Sequence, residues 1–377
     1  MDKKVLAILS PSSYSEIPRF RQQLARQLSN YRQVLYIVYP QFCYPQSLSY
    51  VKSDGRIDII DATTEKCNSF ISGSSQYLSW QCDNYFSRLA LLLSDYLFLH
   101  GLRLEKLFTF FPNSSALSNF FNIIYVCNDN FPLYSHLGFR KSLLGDLERQ
   151  TVLRASLIIA VGDVLQAKLK KWSDHVYSLL PGHEFDPVTF MSYDAYLEYS
   201  RAYHSRHQPF ATFMGNIDAR LDFLCLRTLI DSGFQLHLIG NIATDLSLHF
   251  SQAQLKAIHI INPLTGDELL VFLRSSNLLL IPYKTHLKMM QAVQLNNKFF
   301  QYLATGLPIL ATKLPGYVRL GPPLVYAVDP NEFSSVAHNL SVLPSRVDYN
   351  QRLSFASENT WTLRGQELAK MLKIDAN

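Results

Sequence analysis

The sequence predicts an α/β protein of two doubly wound domains, each a mostly parallel sheet with helices on both faces. Three observations carry this. The 377 residues exceed one ordinary core and suit two. Short, fully apolar runs of strand length alternate with segments of helical length. That alternation lapses once, over 186–209, and then resumes.

In the first half the apolar runs fall at 5–9, 34–38, 57–60, 107–110, 123–126, 157–161 and 176–180. Runs apolar on both faces of the strand belong in a buried parallel sheet. The stretch 186–209 is rich in Tyr, His and Ser, contains two prolines, and reads as a connection. Strands resume at 210–213, 235–239, 258–261, 278–281, 309–311 and 324–327. From about 349 to the end the pattern is helical with no strand to follow. The expected organisation is therefore an N-terminal domain over 1–185, a connection over 186–209, a second domain over 210–348, and a C-terminal helix over about 349–377 that packs back on the first domain. Two such open sheets are expected to face a central cleft lined by the loops that follow their strands.

Composition narrows the function classes. Hydrophobic residues make up 48% and charged residues only 17%, enough apolar surface for two cores and too little charge for disorder. Thirty-five basic residues oppose 30 acidic ones, and the net +5 is scattered rather than gathered, so nucleic acid is not an expected partner. The five cysteines, Cys43, Cys67, Cys82, Cys127 and Cys225, form no C-x-x-C pair, which argues against a disulfide framework or a zinc site and for a reducing cytoplasm. The apolar run after Lys3 and Lys4 is too short for a signal peptide and reads as a first buried strand. The greasy stretch 89–99 is broken by Ser94 and Asp95 and cannot span a bilayer. G-x-G-x-x-G, Walker, H-E-x-x-H, G-x-S-x-G and D-x-D patterns are all missing, which removes the basic parts of dehydrogenase, NTPase, zincin and hydrolase chemistry.

The most informative segment runs from Asn296 through Lys298-Phe299-Phe300-Gln301-Tyr302 to Gly306, Pro308 and Thr312. Asn296 or Asn297 suits a helix cap, Gly306 a left-handed stop, and Pro308 the entry to a strand. Lys298 and Gln301 share one helical face while Phe299, Phe300 and Leu303 turn inward. At a helix start facing a cleft, the ammonium and backbone amides suit a diphosphate, and the Gln301 amide suits a ribose or base. The same spacing also describes an ordinary amphipathic surface helix.

This run resembles the K-x-x-E-Y-x-A-x-G-x-P segment of GT-B glycosyltransferases, whose fold is two Rossmann-like domains. The resemblance is strongest to the xanthan-type glucuronosyltransferase and to teichuronic-acid-type glycosyltransferases; the xanthan enzyme carries Lys-x-x-Gln and a Pro-Tyr fifteen residues before the lysine, here Pro282-Tyr283. It implies that Lys298 binds the diphosphate of a nucleotide sugar and that Tyr283, Asn297 and Gln301 line its pocket. The usual Glu of the wider superfamily is Gln301 here, which leaves the donor's base and sugar open. Met214 and Gly215, in Phe213-Met214-Gly215-Asn216-Ile217-Asp218, resemble the opening of a donor domain, where a glycine lets the backbone approach the ligand. His183 lies in Pro181-Gly182-His183-Glu184-Phe185-Asp186, which resembles a G-H-G-V-D hinge with Glu184 in place of its second glycine. His183 either reaches a phosphate or stabilises the turn. Over 261–264 no carboxylate stands where the xanthan enzyme has one, so glucuronate specificity is not implied.

On the first domain, the strand 123–126 ends in Cys127-Asn128-Asp129-Asn130. By resemblance to the Asp loop of the same enzymes, Asp129 is the general base that deprotonates the acceptor hydroxyl. An Asp in this position also commonly caps the following turn. Glu148 resembles a recurrent helix glutamate and is given no catalytic role. Ser12, Arg19 and Arg21, in and after the loop that follows the first strand, are the acceptor-side candidates, with solvated surface residues as the alternative.

The function implied is transfer of a sugar from a nucleoside diphosphate sugar, UDP-linked, to a glycan or lipid-linked acceptor in cell-surface polysaccharide or glycolipid synthesis. The reaction is expected to be inverting and metal-independent, with no cofactor beyond the nucleotide-sugar substrate. A retaining enzyme of the same fold and a non-catalytic nucleotide- or glycan-binding relative are the alternatives. Aromatic and basic residues over 77–111, with Arg88, Arg103 and Lys106, raise the further expectation of a peripheral membrane contact at the inner face; such residues otherwise belong in the core.

Overall fold

The computed structural model of the protein describes residues 3–39, 44–65, 75–133, 140–204, 208–292 and 295–375. The chain forms two compact units, Met1–Leu180 with Arg364–Asn377, and Pro181–Leu363.

Unit 1 contains β1 (Lys3–Ser10), α1 (Phe20–Ser29), β2 (Gln33–Val38), β3 (Tyr44–Asp54), β4 (Ile57–Glu65) and α2 (Ser75–Leu99). They are followed by β5 (Leu102–Thr109), β6 (Ile123–Cys127), α3 (Arg140–Arg154), β7 (Leu157–Ala160), α4 (Asp163–Leu169) and β8 (Val176–Ser178). Among the described residues these strands make one eight-stranded sheet in the order β3-β4-β2-β1-β5-β6-β7-β8. All neighbours pair in parallel except β3 with β4. The strand direction of growth reverses between β1 and β5, which marks the switch point of the sheet.

The apolar runs become strands because both faces of the sheet are covered. Val5, Ala7 and Leu9 of β1 join Leu35, Ile37 and Ile60 under Phe86, Leu89, Leu93 and Leu97 of α2 in one buried cluster. Fully burying each such side chain contributes ~1.5–3 kcal/mol relative to exposure. Most aromatic and apolar residues of the 77–111 stretch are spent in this way; Phe98 and Leu99, at the end of α2, stay 86% and 78% exposed. The side chains of 77–81 lie outside the described residues. No helix among the described residues is long and apolar enough to cross a membrane.

Unit 2 contains α5 (Tyr193–His204), β9 (Phe210–Met214), α6 (Phe223–Asp231), β10 (Gln235–Ile239), α7 (Gln252–Leu255), β11 (Ile258–Ile261), α8 (Gly266–Arg274) and β12 (Leu278–Ile281). Then come α9 (Lys288–Ala292), α10 (Asn297–Leu303), β13 (Ile309–Thr312), α11 (Pro315–Leu320), β14 (Tyr326–Val328), α12 (Phe333–Ser341) and α13 (Arg346–Ser357), while α14 (Trp361–Leu372) starts in unit 2 and from Arg364 belongs to unit 1. Its described strands form a parallel six-stranded sheet, β11-β10-β9-β12-β13-β14, with the switch point between β9 and β12.

Three elements differ from the sequence expectation. β3 is an antiparallel edge strand that no apolar run announces. The stretch 186–209 is more than a connection, because it carries α5, whose Tyr196 ring stacks on Tyr349 at 5.0 Å. The helix expected from 349 onward is two, α13 and α14. The break between them pairs with the start of unit 2: the His183 amide donates to the Asn359 carbonyl, and the Trp361 amide donates to the His183 carbonyl. Residues from Arg364 belong to unit 1, where Gly365 lies so close to Gln27 of α1 that a Cβ would come within 2.7 Å of its side chain.

Candidate functional site

In unit 2 the loops after β9 and β12 meet at the switch point. The Asp222 amide donates to the Pro282 carbonyl and the Lys284 amide to the Arg220 carbonyl, which ties 215–222 to 282–284. The Thr312 hydroxyl at the end of β13 donates to the Tyr283 carbonyl at 2.6 Å. Strand ends of β9, β12 and β13 are thereby fixed together at the edge where α/β sheets bind ligands.

α10 delivers Lys298 to this edge. Asn296 is the cap: its side-chain oxygen accepts from the Phe299 amide at 3.1 Å, and Asn297 opens the helix half-buried. Phe299, Phe300 and Leu303 are fully buried, and Gly306 ends the segment at φ 76°. Tyr302, also buried, accepts the Met214 amide on its hydroxyl at 2.8 Å and so anchors α10 to the end of β9.

Lys298 is half-buried, its Nζ donating to the Tyr283 hydroxyl and lying 4.1 Å from the centre of the Phe213 ring and 4.8 Å from that of Tyr283. Burial and the nearby Arg220 guanidinium hold its pKa well below the ordinary lysine value, with Asp218 opposing them. Burial likewise raises the Tyr283 phenol, with Arg220 opposing and Asp218 adding to the rise. Asp218 is engaged by Arg220, whose Nη2 lies 2.6 Å from Oδ2 and whose Nε lies 2.9 Å from Oδ1. Although burial raises the Asp218 carboxyl, hydrogen bonds and charge from Arg220 hold it below its usual value. Among the described residues, therefore, Lys298 is bonded to a neutral phenol and forms no ion pair with a carboxylate. A lysine placed this way is poised for an anion from outside.

Met214 and Gly215 sit at this site, at the end of β9. Their amides are already used, Met214 by Tyr302 and Gly215 by the Ile239 carbonyl at 2.8 Å, so neither N–H is spare for a phosphate. What Gly215 supplies is space: at φ 137° a Cβ would lie 2.6 Å from Lys298 Nζ. Gly240 then protects Gly215, since at φ 140° its Cβ would lie 2.2 Å from the Gly215 carbonyl oxygen. Gly240→Ala meets rigid backbone as well as a strained φ and is expected to destabilise unit 2 by about 3 kcal/mol or more. Gly233→Ala, at φ 97° with nothing within 4 Å, adds strain alone and is expected to cost only about 1 kcal/mol. Denaturation midpoints of the two variants check this ordering; equal losses would refute the close approach.

Gln301 donates from Nε2 to both carboxylate oxygens of Glu184, at 2.9 and 3.1 Å. The two departures from the family pattern, Gln301 and Glu184, are thus in contact. His183 is fully buried, its ring near that of Phe185 and its Nε2 2.9 Å from the Ala356 carbonyl. Burial lowers its pKa, opposed by its backbone hydrogen bonds. That environment ties the His183 side chain to the turn at 356–360.

In unit 1, Asp129 follows β6. Its Oδ1 accepts the Asn130 amide at 2.8 Å, and its carbonyl accepts from the Cys127 thiol at 3.4 Å. The turn-capping role is present, and the side chain is half-buried at the end of the strand. At the β1–β5 switch point, Ser12 is turned back on Ser10, its amide donating to the Ser10 hydroxyl at 3.2 Å. The exposed Arg19 uses its amide to donate to the Gln22 side chain, and the Arg21 guanidinium lies 5.7 Å from the Phe110 ring centre. Cys82, Cys127 and Cys225 are buried thiols. Cys43, Cys67 and the connector residues Ser205, Arg206 and His207 lie outside the described residues.

Sequence reasoning missed Arg220, Tyr302 and Gly240. Tyr302 stood within the motif, but its inward role depends on β9, and Arg220 offered only the signal of a charged pair, Asp-x-Arg, in a loop after a strand.

No family model matches the sequence, and no curated protein matches it. Solved structures do. A sucrose-phosphate synthase from Thermosynechococcus elongatus superposes with a TM-score of 0.69 at 12% identity, over 98% of this chain and 98% of that one. A UDP-forming α,α-trehalose-phosphate synthase from Burkholderia vietnamiensis gives 0.68 at 11% identity, over 99% and 97%. HepE of Anabaena, solved with UDP and glucose, gives 0.64 at 11% identity, over 99% and 100%. The chain has the GT-B glycosyltransferase fold, two parallel-sheet domains matched over nearly its whole length.

Proposed function

We propose that the protein is a glycosyltransferase that moves a sugar from a UDP-linked donor to a glycan or lipid-linked acceptor, with inversion and without a metal. The observation that carries this reading is Lys298, held between Phe213 and Tyr283 beside Arg220 with no carboxylate ion pair of its own among the described residues. A diphosphate supplies the missing counter-charge, and two cations at the leaving group stabilise it as the glycosidic bond breaks. Asp129 takes the proton from the acceptor hydroxyl as that oxygen attacks the anomeric carbon. Tyr283, Asn297 and Gln301 line the nucleotide pocket, Met214 borders it, and Ser12, Arg19 and Arg21 face the acceptor. One structural neighbour, HepE of Anabaena, was solved with UDP and glucose, which supports the donor class.

A structure with bound UDP tests the site, and UDP release from a panel of UDP-sugars with and without glycan acceptors tests the reaction. Phosphate oxygens within hydrogen-bond reach of Lys298 are expected. A nucleotide bound elsewhere would overturn the site, and binding without turnover would leave a nucleotide-binding protein in place of an enzyme.

A further inference from the structure

Glu148, on α3, carries a carboxylate with no exposure to solvent. Such a charge persists only where donors surround it. Its Oε1 accepts from the Tyr125 hydroxyl at 2.9 Å and from the Cys127 thiol at 3.5 Å, both on β6. Its Oε2 accepts from Lys168 on α4, whose side chain is 21% exposed. Lys168 Nζ also donates to the Asn130 side-chain oxygen at 3.0 Å. The Asn130 amide in turn donates to Asp129 Oδ1, and Cys127 reaches the Asp129 carbonyl. Two routes therefore lead from one buried carboxylate to Asp129, one through Lys168 and Asn130 and one through Cys127, whose single thiol proton is shared between Glu148 Oε1 and the Asp129 carbonyl.

Packing α3 on the sheet does not require a charge here. A well-packed apolar side chain of similar volume does that work at least as well as a buried ion pair. What an apolar residue lacks is the ability to hold Lys168 over Asn130 and Cys127 under the loop. We propose that Glu148 and Lys168 are positioning residues that fix the loop from Cys127 to Phe131, and with it the carboxylate of Asp129. The inference rests on the reading of Asp129 as the base.

The test uses Glu148→Gln, which keeps the shape and removes the charge, Lys168→Met on the partly exposed side, and Lys168→Arg as the conservative rescue. In the ligand-free protein, hydrogen exchange at Asp129, Asn130 and Phe131 is expected to quicken about tenfold in the first two variants and less in the third, with β6 amides unchanged. In transfer assays, kcat is expected to fall about 10- to 100-fold at a donor KM within about twofold of wild type. Should Glu148→Gln fail to fold, Lys168→Met carries the same comparison. Unchanged loop exchange, loosening spread through β6, or a loosened loop with unchanged kcat would each overturn the proposal. A wild type that transfers no sugar removes the base reading alone, and the exchange comparison still decides whether the pair fixes the loop.

Discussion

Asp129→Asn is expected to lower kcat by roughly 10²–10⁴-fold, the range that a positioned general base contributes. The amide is nearly isosteric with the carboxylate and retains an oxygen to accept the Asn130 amide, so the turn after β6 is expected to survive. Only the capacity to take a proton is lost. Because the substitution removes a proton acceptor and none of the proposed diphosphate contacts, UDP affinity is expected to stay within about twofold. Steady-state kinetics at saturating donor, paired with calorimetric titration of UDP, separates the two effects. Retention of wild-type kcat would remove Asp129 from the mechanism and leave its turn-capping role.

What was legible beforehand follows from what local sequence encodes. The central strands announce themselves because both their faces are buried, as in β1, where Val5 to Ser10 have at most 1% exposure. β3 does not, because an edge strand with one neighbour is mostly solvated, and Tyr44–Asp54 is accordingly polar and carries a proline. The division of α13 from α14 was equally invisible. Residues 357–360 contain nothing that forbids a helix; what stops it is pairing with His183, 176 positions earlier than Asn359 and set close by Gly182, whose Cβ would lie 2.7 Å from the Thr360 backbone.

The candidate site divides along the same line. Asn296 as cap, Gly306 as stop and Lys298 as the cation on the outer face are local properties of one short helix, and each could be read from spacing. The use of the Met214 amide by Tyr302 and of the Gly215 amide by Ile239 is not local, and no spacing within the segment announces it. Glu148 is the sharpest case. In sequence it is one more helix glutamate, indistinguishable from a solvated one; only the tertiary fold brings Tyr125, Cys127 and Lys168 around it.

Lys298→Met is expected to weaken UDP binding by roughly 10²-fold and to lower kcat by roughly 10²–10³-fold, as for removal of a leading electrostatic contact to the leaving group. The fold is expected to tolerate it. Burial, then Arg220, press the lysine towards its neutral form, so its folded pKa lies below the unfolded value. Such a lysine stabilises the fold above the unfolded pKa, and that contribution is lost as pH falls through the folded pKa. At neutral pH the ammonium is thus a cost to the ligand-free protein, and Met removes it, giving a melting temperature at or above that of wild type. Bound diphosphate reverses the balance: its negative charge favours the ammonium, raises the lysine pKa and makes binding take up protons. UDP affinity should therefore fall with rising pH in a window that begins below the ordinary lysine range. Titrations in two buffers of different ionisation enthalpy, at a pH where UDP is fully ionised, measure that uptake. It is expected in wild type and absent in Lys298→Met; equal uptake in both would place the titrating group elsewhere and separate the diphosphate from Lys298.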